Sequence, residues 1–162
     1  MPRLAIVLGT ALGVLVADQA TKYLATQDLE PGEPVRVIGS LVQLVLVRNA
    51  GAAFSLGTGF TVVLSAIAII MVVIIARFAT RIGSVWWAVA LGGLLGGALG
   101  NLADRIFRPP GVLRGQVIDF IQLPHWPVFN IADSAIVVSA GIMVVLAFRG
   151  VAMSDNGAGG SE

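Results

Sequence analysis

The sequence contains no cysteine, which excludes disulfides, thiolate metal sites and a cysteine nucleophile while leaving the redox compartment open. It contains a single histidine, His125, within Pro124-His-Trp-Pro127. One imidazole beside a tryptophan and two prolines fits packing at an interface, and a histidine-rich metal site is excluded. Charge is scarce: 12% of residues are Asp, Glu, Lys or Arg, against roughly 25% in soluble domains. The formal net charge is +1 and there is no run of Lys or Arg, so nothing points to nucleic acid. What the chain does have is apolar surface. Of its 162 residues 57% are hydrophobic, and its mean hydropathy is +0.93. One water-soluble core of this size cannot absorb that excess, so lipid must cover much of the outside. The reading is a single membrane domain over residues 1–150 followed by a disordered tail, 151–162, that ends Gly-Ala-Gly-Gly-Ser-Glu.

Four apolar segments stand out: Leu4 to about Leu24, Phe60 to Phe78, Val85 to about Ala103, and about Val128 to Phe148. Each is about 20 residues, enough to cross ~30 Å of hydrocarbon as a helix. The first is read as a span and not a cleaved signal, because Asp18 and Gln19 stand where a small-residue cleavage site would be. Four spans put both termini on one side. Arg3, Arg77, Arg81 and Arg149 lie on that side, while Lys22, Arg36, Arg48, Arg105, Arg108 and Arg114 lie on the other. The raw count therefore opposes cytoplasmic termini, whereas the two arginines in the very short connection before Ser84 favour them. Trp86 and Trp87 fit an interfacial belt at the start of the third span.

Two longer stretches share the face opposite the termini. The first, about 28–58, opens with the turn-rich Asp28-Leu-Glu-Pro-Gly-Glu-Pro34 and continues through Val35 to Val47, rich in β-branched residues. It reads as strands, a hairpin turning at Gly39-Ser40. The second, about 105–127, contains the strand-like Val117 to Leu123. The expected fold is thus a mainly α membrane protein, four transmembrane helices with a small β-structured cap on the outer face. The third helix carries Gly92, Gly96 and Gly100, whose four-residue spacing lets helix backbones approach closely and marks it as central.

Polar residues in and beside the spans form five clusters near one membrane face. Asp18 and Lys22 are four apart and can pair. Asn49 and Gly51 follow the strands and suit a tight turn. Asn101, Asp104 and Arg105 share one side of a helix, and Asn101 is deep enough to need a hydrogen-bond partner. Asp119 interrupts an apolar strand; a solvent-facing position or a charge guarding a sheet edge would account for it. Asp133 opens the fourth helix three residues after Asn130, the spacing of a capping box. A turn at Pro124–Pro127 would let the chain double back and bring Asp119 and Asp133 together at the mouth of the bundle. Close carboxylates share one proton, and such a pair can activate water and protonate a leaving amine. A small transporter using these carboxylates as ion sites, or an assembly factor using them as staples, remains open, although the inverted repeats and broken helices of many transporters are not visible.

The strings Asp18-Gln-Ala-Thr-Lys22, Asn49-Ala-Gly-Ala-Ala-Phe54, Gly100-Asn-Leu-Ala-Asp-Arg105, Val117-Ile-Asp-Phe120 and Phe129-Asn-Ile-Ala-Asp133 occur in this order between the spans. Each alone is weak, but the ordered set resembles the five motifs of the bacterial lipoprotein signal peptidase (signal peptidase II) family. The resemblance implies an aspartic endopeptidase of the inner membrane, with catalytic Asp119 and Asp133. It implies supporting roles for Asp18, Lys22, Asn49, Gly51, Asn101, Asp104, Arg105 and Asn130. It further implies cytoplasmic termini, a site open towards the periplasmic or outer side, and cleavage of diacylglyceryl-modified prolipoproteins before the lipidated cysteine. No metal and no cofactor are expected. Prolipoproteins and membrane lipids are the expected partners, nucleic acid is not, and the chain is expected to act as a monomer.

Overall fold

The computed structural model describes residues 2–51 and 58–154. Ala52, Ala53 and Phe54 of the second motif and positions 155–162 of the expected tail lie outside the described residues. Helix α1 spans Pro2–Asp28, α2 Thr58–Ala79, α3 Val85–Phe107 and α4 Ile131–Phe148. All four are long and apolar enough to cross a membrane. Strands β1 (Val35–Ile38), β2 (Val42–Asn49) and β3 (Val117–Gln122) form one antiparallel sheet in the order β1-β2-β3. The β1–β2 hairpin turns at Gly39 and Ser40, with Gly39 at φ 53° and the Leu41 N–H donating to the Ile38 carbonyl at 2.9 Å.

Helix α3 is the centre of the bundle. In its most apolar stretch 67% of residues are buried, against 17% in each of the other three spans. Its glycines explain how. A Cβ on Gly96 would stand 2.6 Å from the Ala11 carbonyl oxygen, one on Gly92 2.7 Å from that of Val7, and one on Gly97 2.6 Å from that of Ala132. Absent side chains on one helix thus seat α1 and α4 backbone to backbone, the contact that substitutes for a hydrophobic drive in lipid. The outer faces carry exposed Leu8, Leu12 and Val16 on α1, Ile67 and Ile70 on α2, and Val137 and Val144 on α4. These faces are where lipid replaces protein.

Three features differ from the sequence reading. Helix α4 starts at Ile131 instead of Val128, because Phe129 is paired with Ile121: each N–H donates to the other's carbonyl, at 3.0 and 2.8 Å. Trp86 points outward as expected of a belt residue, but Trp87 is buried and its indole N–H donates to the Val151 carbonyl at 2.9 Å. Consecutive helical residues point about 100° apart, which turns Trp87 towards the core while Trp86 faces outward. The chain also packs against the bundle past 150. Gly83 N–H donates to the Met153 carbonyl at 2.9 Å, and Val151 and Met153 pack on the apolar core of the terminal end. Val151 and Met153, in the first residues of the expected tail, are thus in contact with the bundle.

Candidate active site

The end of the bundle beneath the sheet is polar and buried. Lys22, one turn after Asp18 on α1, has its ammonium 2.8 Å from Asp18 and 2.8 Å from Asp104 on α3, and all three side chains are fully buried. An ammonium in such a place needs this much compensation, and removing one partner of a buried pair costs about 3–5 kcal/mol. Asp18 also accepts from the Ala132 N–H at 2.9 Å, so it neutralises an orphan donor in the first turn of α4. Gly100 gives it room: a Cβ there would lie 2.5 Å from Asp18 Oδ2. Asp104 accepts from Arg108 Nε at 2.6 Å and from the Ile118 N–H at 3.2 Å, which ties α3 to β3.

This ion cluster leads to the two aspartates of interest. Lys22 Nζ donates to Asn101 Oδ1 at 3.0 Å, and Asn101 Nδ2 donates to Asp133 Oδ1 at 2.8 Å. Asn130 and Asp133 form a true capping box: Asn130 Oδ1 accepts from the Asp133 N–H at 2.9 Å, and Asp133 Oδ2 from the Asn130 N–H at 3.2 Å. The side chain of Asn130, fully buried, also reaches the other carboxylate, its Nδ2 donating to Asp119 Oδ1 at 2.7 Å. One asparagine therefore holds both aspartates. Asn49 at the end of β2 completes the arrangement, its Nδ2 donating to Asp119 Oδ2 at 2.9 Å. Its own oxygen accepts from the Gly51 N–H at 2.8 Å, closing a turn in which Gly51 adopts φ 96°. The left-handed backbone favours glycine there.

Asp119 is 3% exposed, on a strand outside the spans. Burial pushes its pKa up from the usual carboxylate value to about 6, against the Asn49 hydrogen bond that lowers it; Asp133 raises it, and Asn130 and Lys22 lower it. Arg105 lies within the field of Asp119, Asp104 and Asp133. It is 8% exposed, and its Nη1 finds no hydrogen-bond acceptor among the described residues.

The structure thus brings Asp119, Asp133, Asn49, Asn101 and Asn130 into one hydrogen-bonded set, with Asp18, Lys22 and Asp104 behind it and Arg105 beside it. Other participants carried little sequence signal. Gln19 Nε2 donates to Asp18 at 3.1 Å, the Gly100 carbonyl at 3.1 Å and Asp104 at 3.4 Å, although in the sequence it served only as an argument against a cleavage site. Thr61 and Ser65, buried on α2, donate to the Ala50 carbonyl at 2.5 Å and the Leu113 carbonyl at 2.8 Å. Their four-residue spacing in an otherwise apolar helix is the only signal that could have found them.

The family model described as Signal peptidase (SPase) II matches residues 10–149. A lipoprotein signal peptidase of Mycobacterium avium is 53% identical over 91% of this chain and 81% of its own. Its counterpart in Streptomyces coelicolor is 49% identical over 92% of this chain and 73% of its own. A solved bacterial membrane enzyme superposes with a TM-score of 0.79 at 29% identity, covering 88% of this chain and 92% of that one.

Proposed function

The chain belongs to the signal peptidase II family, and from that premise we propose that it is an aspartic endopeptidase that removes the signal peptide from prolipoproteins, cutting before a diacylglyceryl-modified cysteine. The observation that carries the reading is the pair Asp119 and Asp133, joined through Asn130 at the end of the helix bundle. Asp133 stands in the first turn of a span and Asp119 on a strand outside the spans. In this reading the pair meets the substrate where its transmembrane signal helix ends and its lipidated cysteine begins. Helix stapling alone explains Asp133, whose capping box is complete, but not an aspartate buried within the apolar strand β3.

In this mechanism the two carboxyls share one proton. Asp133 takes a proton from water as the water oxygen bonds to the scissile carbonyl carbon, and Asp119 gives its proton to the carbonyl oxygen. Collapse of the resulting diol breaks the C–N bond. The amine leaves with the proton from Asp133, a diol proton returns to Asp119, and the pair regains its starting state. Arg105 supplies a buried N–H for charge on the carbonyl oxygen. Asn49, Asn101 and Asn130 hold the carboxylates, while Asp18, Lys22 and Asp104 hold the helices that carry them. Substrate enters laterally from the membrane, the sheet covers the peptide, and the enzyme acts as a monomer with cytoplasmic termini and its site towards the outer side of the inner membrane. The test is gel-resolved processing of a lipidated prolipoprotein by purified enzyme. Asp119→Asn and Asp133→Asn should each abolish cleavage while accumulating in the membrane like the parent; substantial turnover by either removes the dyad.

A further inference from the structure

The end of the molecule remote from the aspartates has a charge distribution the reaction does not use. The described acids, Asp18, Asp28, Glu30, Glu33, Asp104, Asp119 and Asp133, all lie towards the site end, whereas Arg3, Arg77, Arg81 and Arg149 lie at the other. The ion pairs among the described residues involve only Lys22 and Arg108 as cations. Arg77 and Arg81 are both exposed and line a cleft of about 330 Å³ together with Ile74, Phe78 and Thr80.

The geometry below them is equally specific. At 100° per residue, positions 70, 74, 77 and 78 fall within about 100° of arc on one side of α2, and Arg81 follows in the turn after Ala79. Ile70, Ile74 and Phe78 on that side are exposed, on a helix that lipid largely surrounds. The turn bearing Arg81 is fixed rather than loose. Arg3 Nε donates to the Gly83 carbonyl at 2.9 Å, Gly83 N–H to Met153 at 2.9 Å, and Arg81 N–H to Phe78 at 3.0 Å, while Ala79 and Ile82 are buried. Buried neighbours fix the backbone that carries the two exposed arginines, so only their side chains have to be ordered when an anion binds.

We propose that Arg77 and Arg81, with Ile70, Ile74 and Phe78 beneath them, form a binding site for an anionic phospholipid of the leaflet on the terminal side. The phosphate sits between the guanidiniums, which match phosphate oxygens in bidentate geometry, and an acyl chain runs along the apolar stripe. Free phosphate would use only the upper half of such a site. The proposal is independent of the reaction assigned to the aspartates.

The test is thermal unfolding of the purified full chain in one fixed neutral detergent. Phosphatidylglycerol, phosphatidylcholine or inorganic phosphate is titrated in. Phosphatidylglycerol should raise Tm saturably; phosphatidylcholine and inorganic phosphate should not. In the Arg77→Ala/Arg81→Ala double variant the apparent affinity for phosphatidylglycerol should fall about thirtyfold, with prolipoprotein processing retained as the sign of an intact fold. Arg77→Gln and Arg81→Gln singly should each give an intermediate loss. An unchanged phosphatidylglycerol response in the double and single variants overturns the site. So does an equal shift with phosphatidylcholine, which would mean acyl packing alone, or with inorganic phosphate, which would mean a bare anion site.

Discussion

Asp119 is pulled in opposite directions by its neighbours. Burial and the facing Asp133 favour its neutral form; the amides of Asn49 and Asn130 and the ammonium of Lys22 favour its charged form. The outcome, about 6, leaves a proton on Asp119 through the mildly acidic range, and a bound peptide that excludes water pushes in the same direction. The proposed mechanism needs one proton on the pair. As pH falls both carboxyls become neutral and no base remains; as pH rises past the second ionisation no acid remains. The rate should therefore be bell-shaped, with apparent values that belong to the pair, and its alkaline limb should lie at or above about 6. Because the Asn49 hydrogen bond lowers the Asp119 value, Asn49→Ala should move that limb to higher pH while reducing the maximum rate. Initial cleavage rates against pH, with folding verified at each point, check both statements. A flat profile in the parent, or an alkaline limb that Asn49→Ala moves downward, contradicts the shared proton.

At the scale of elements, hydropathy and spacing made the four spans, the hairpin and the third strand legible, because each depends on runs of a few neighbouring residues. The candidate site was legible for a different reason: five short strings in order carry it, and the structure draws Asn49, Asn101, Asp119, Asn130 and Asp133 together. What local pattern missed is decided by partners far along the chain. Gln19 reaches Asp104 and Ser65 reaches Leu113. Phe129 joins the sheet and delays the start of α4, and Trp87 turns inward to a docked Val151. The glycines of α3 were legible as close-packing positions, and their energetics differ from those of other helical glycines. Gly96→Ala would meet the Ala11 carbonyl oxygen at 2.6 Å, Val14 at 2.8 Å and the Ala11 Cα at 3.0 Å, two of these being backbone atoms that cannot step aside alone. It should destabilise by about 1–3 kcal/mol, the usual cost of overpacking. Gly141→Ala on α4 meets nothing within 4 Å and should be neutral or stabilising by about 0.5–1 kcal/mol through helix propensity. Unfolding of both variants in the same detergent gives the comparison, and equal effects would mean that α1 and α3 are not seated on each other's backbones.

Across the whole molecule, charge is sorted along the axis of the bundle. The ion cluster and the sheet occupy one end, and among the described residues arginines without acidic partners occupy the other. Counting cations by loop opposed cytoplasmic termini, but the fold changes what that count means. Lys22 and Arg105 are buried, and Lys22 and Arg108 are paired with aspartates, so these three cations are parts of the site and weak markers of the side left behind during insertion. Arg77, exposed in the last turn of α2, and Arg81, exposed in the short connection after it, are the kind of residue on which the positive-inside rule acts. The expected orientation is therefore termini and the α2–α3 turn inside, sheet outside. A chain without cysteine permits a direct measurement, since any introduced thiol is the only one present. Ser40→Cys, exposed in the β1–β2 turn, should react in intact cells stripped of their outer barrier with a maleimide that cannot cross membranes. Thr80→Cys, exposed after α2, should react only once the membrane is opened. The reverse pattern would place the sheet and both aspartates in the cytoplasm, on the wrong side for a secreted lipoprotein precursor, and the proposed function would fall with the orientation.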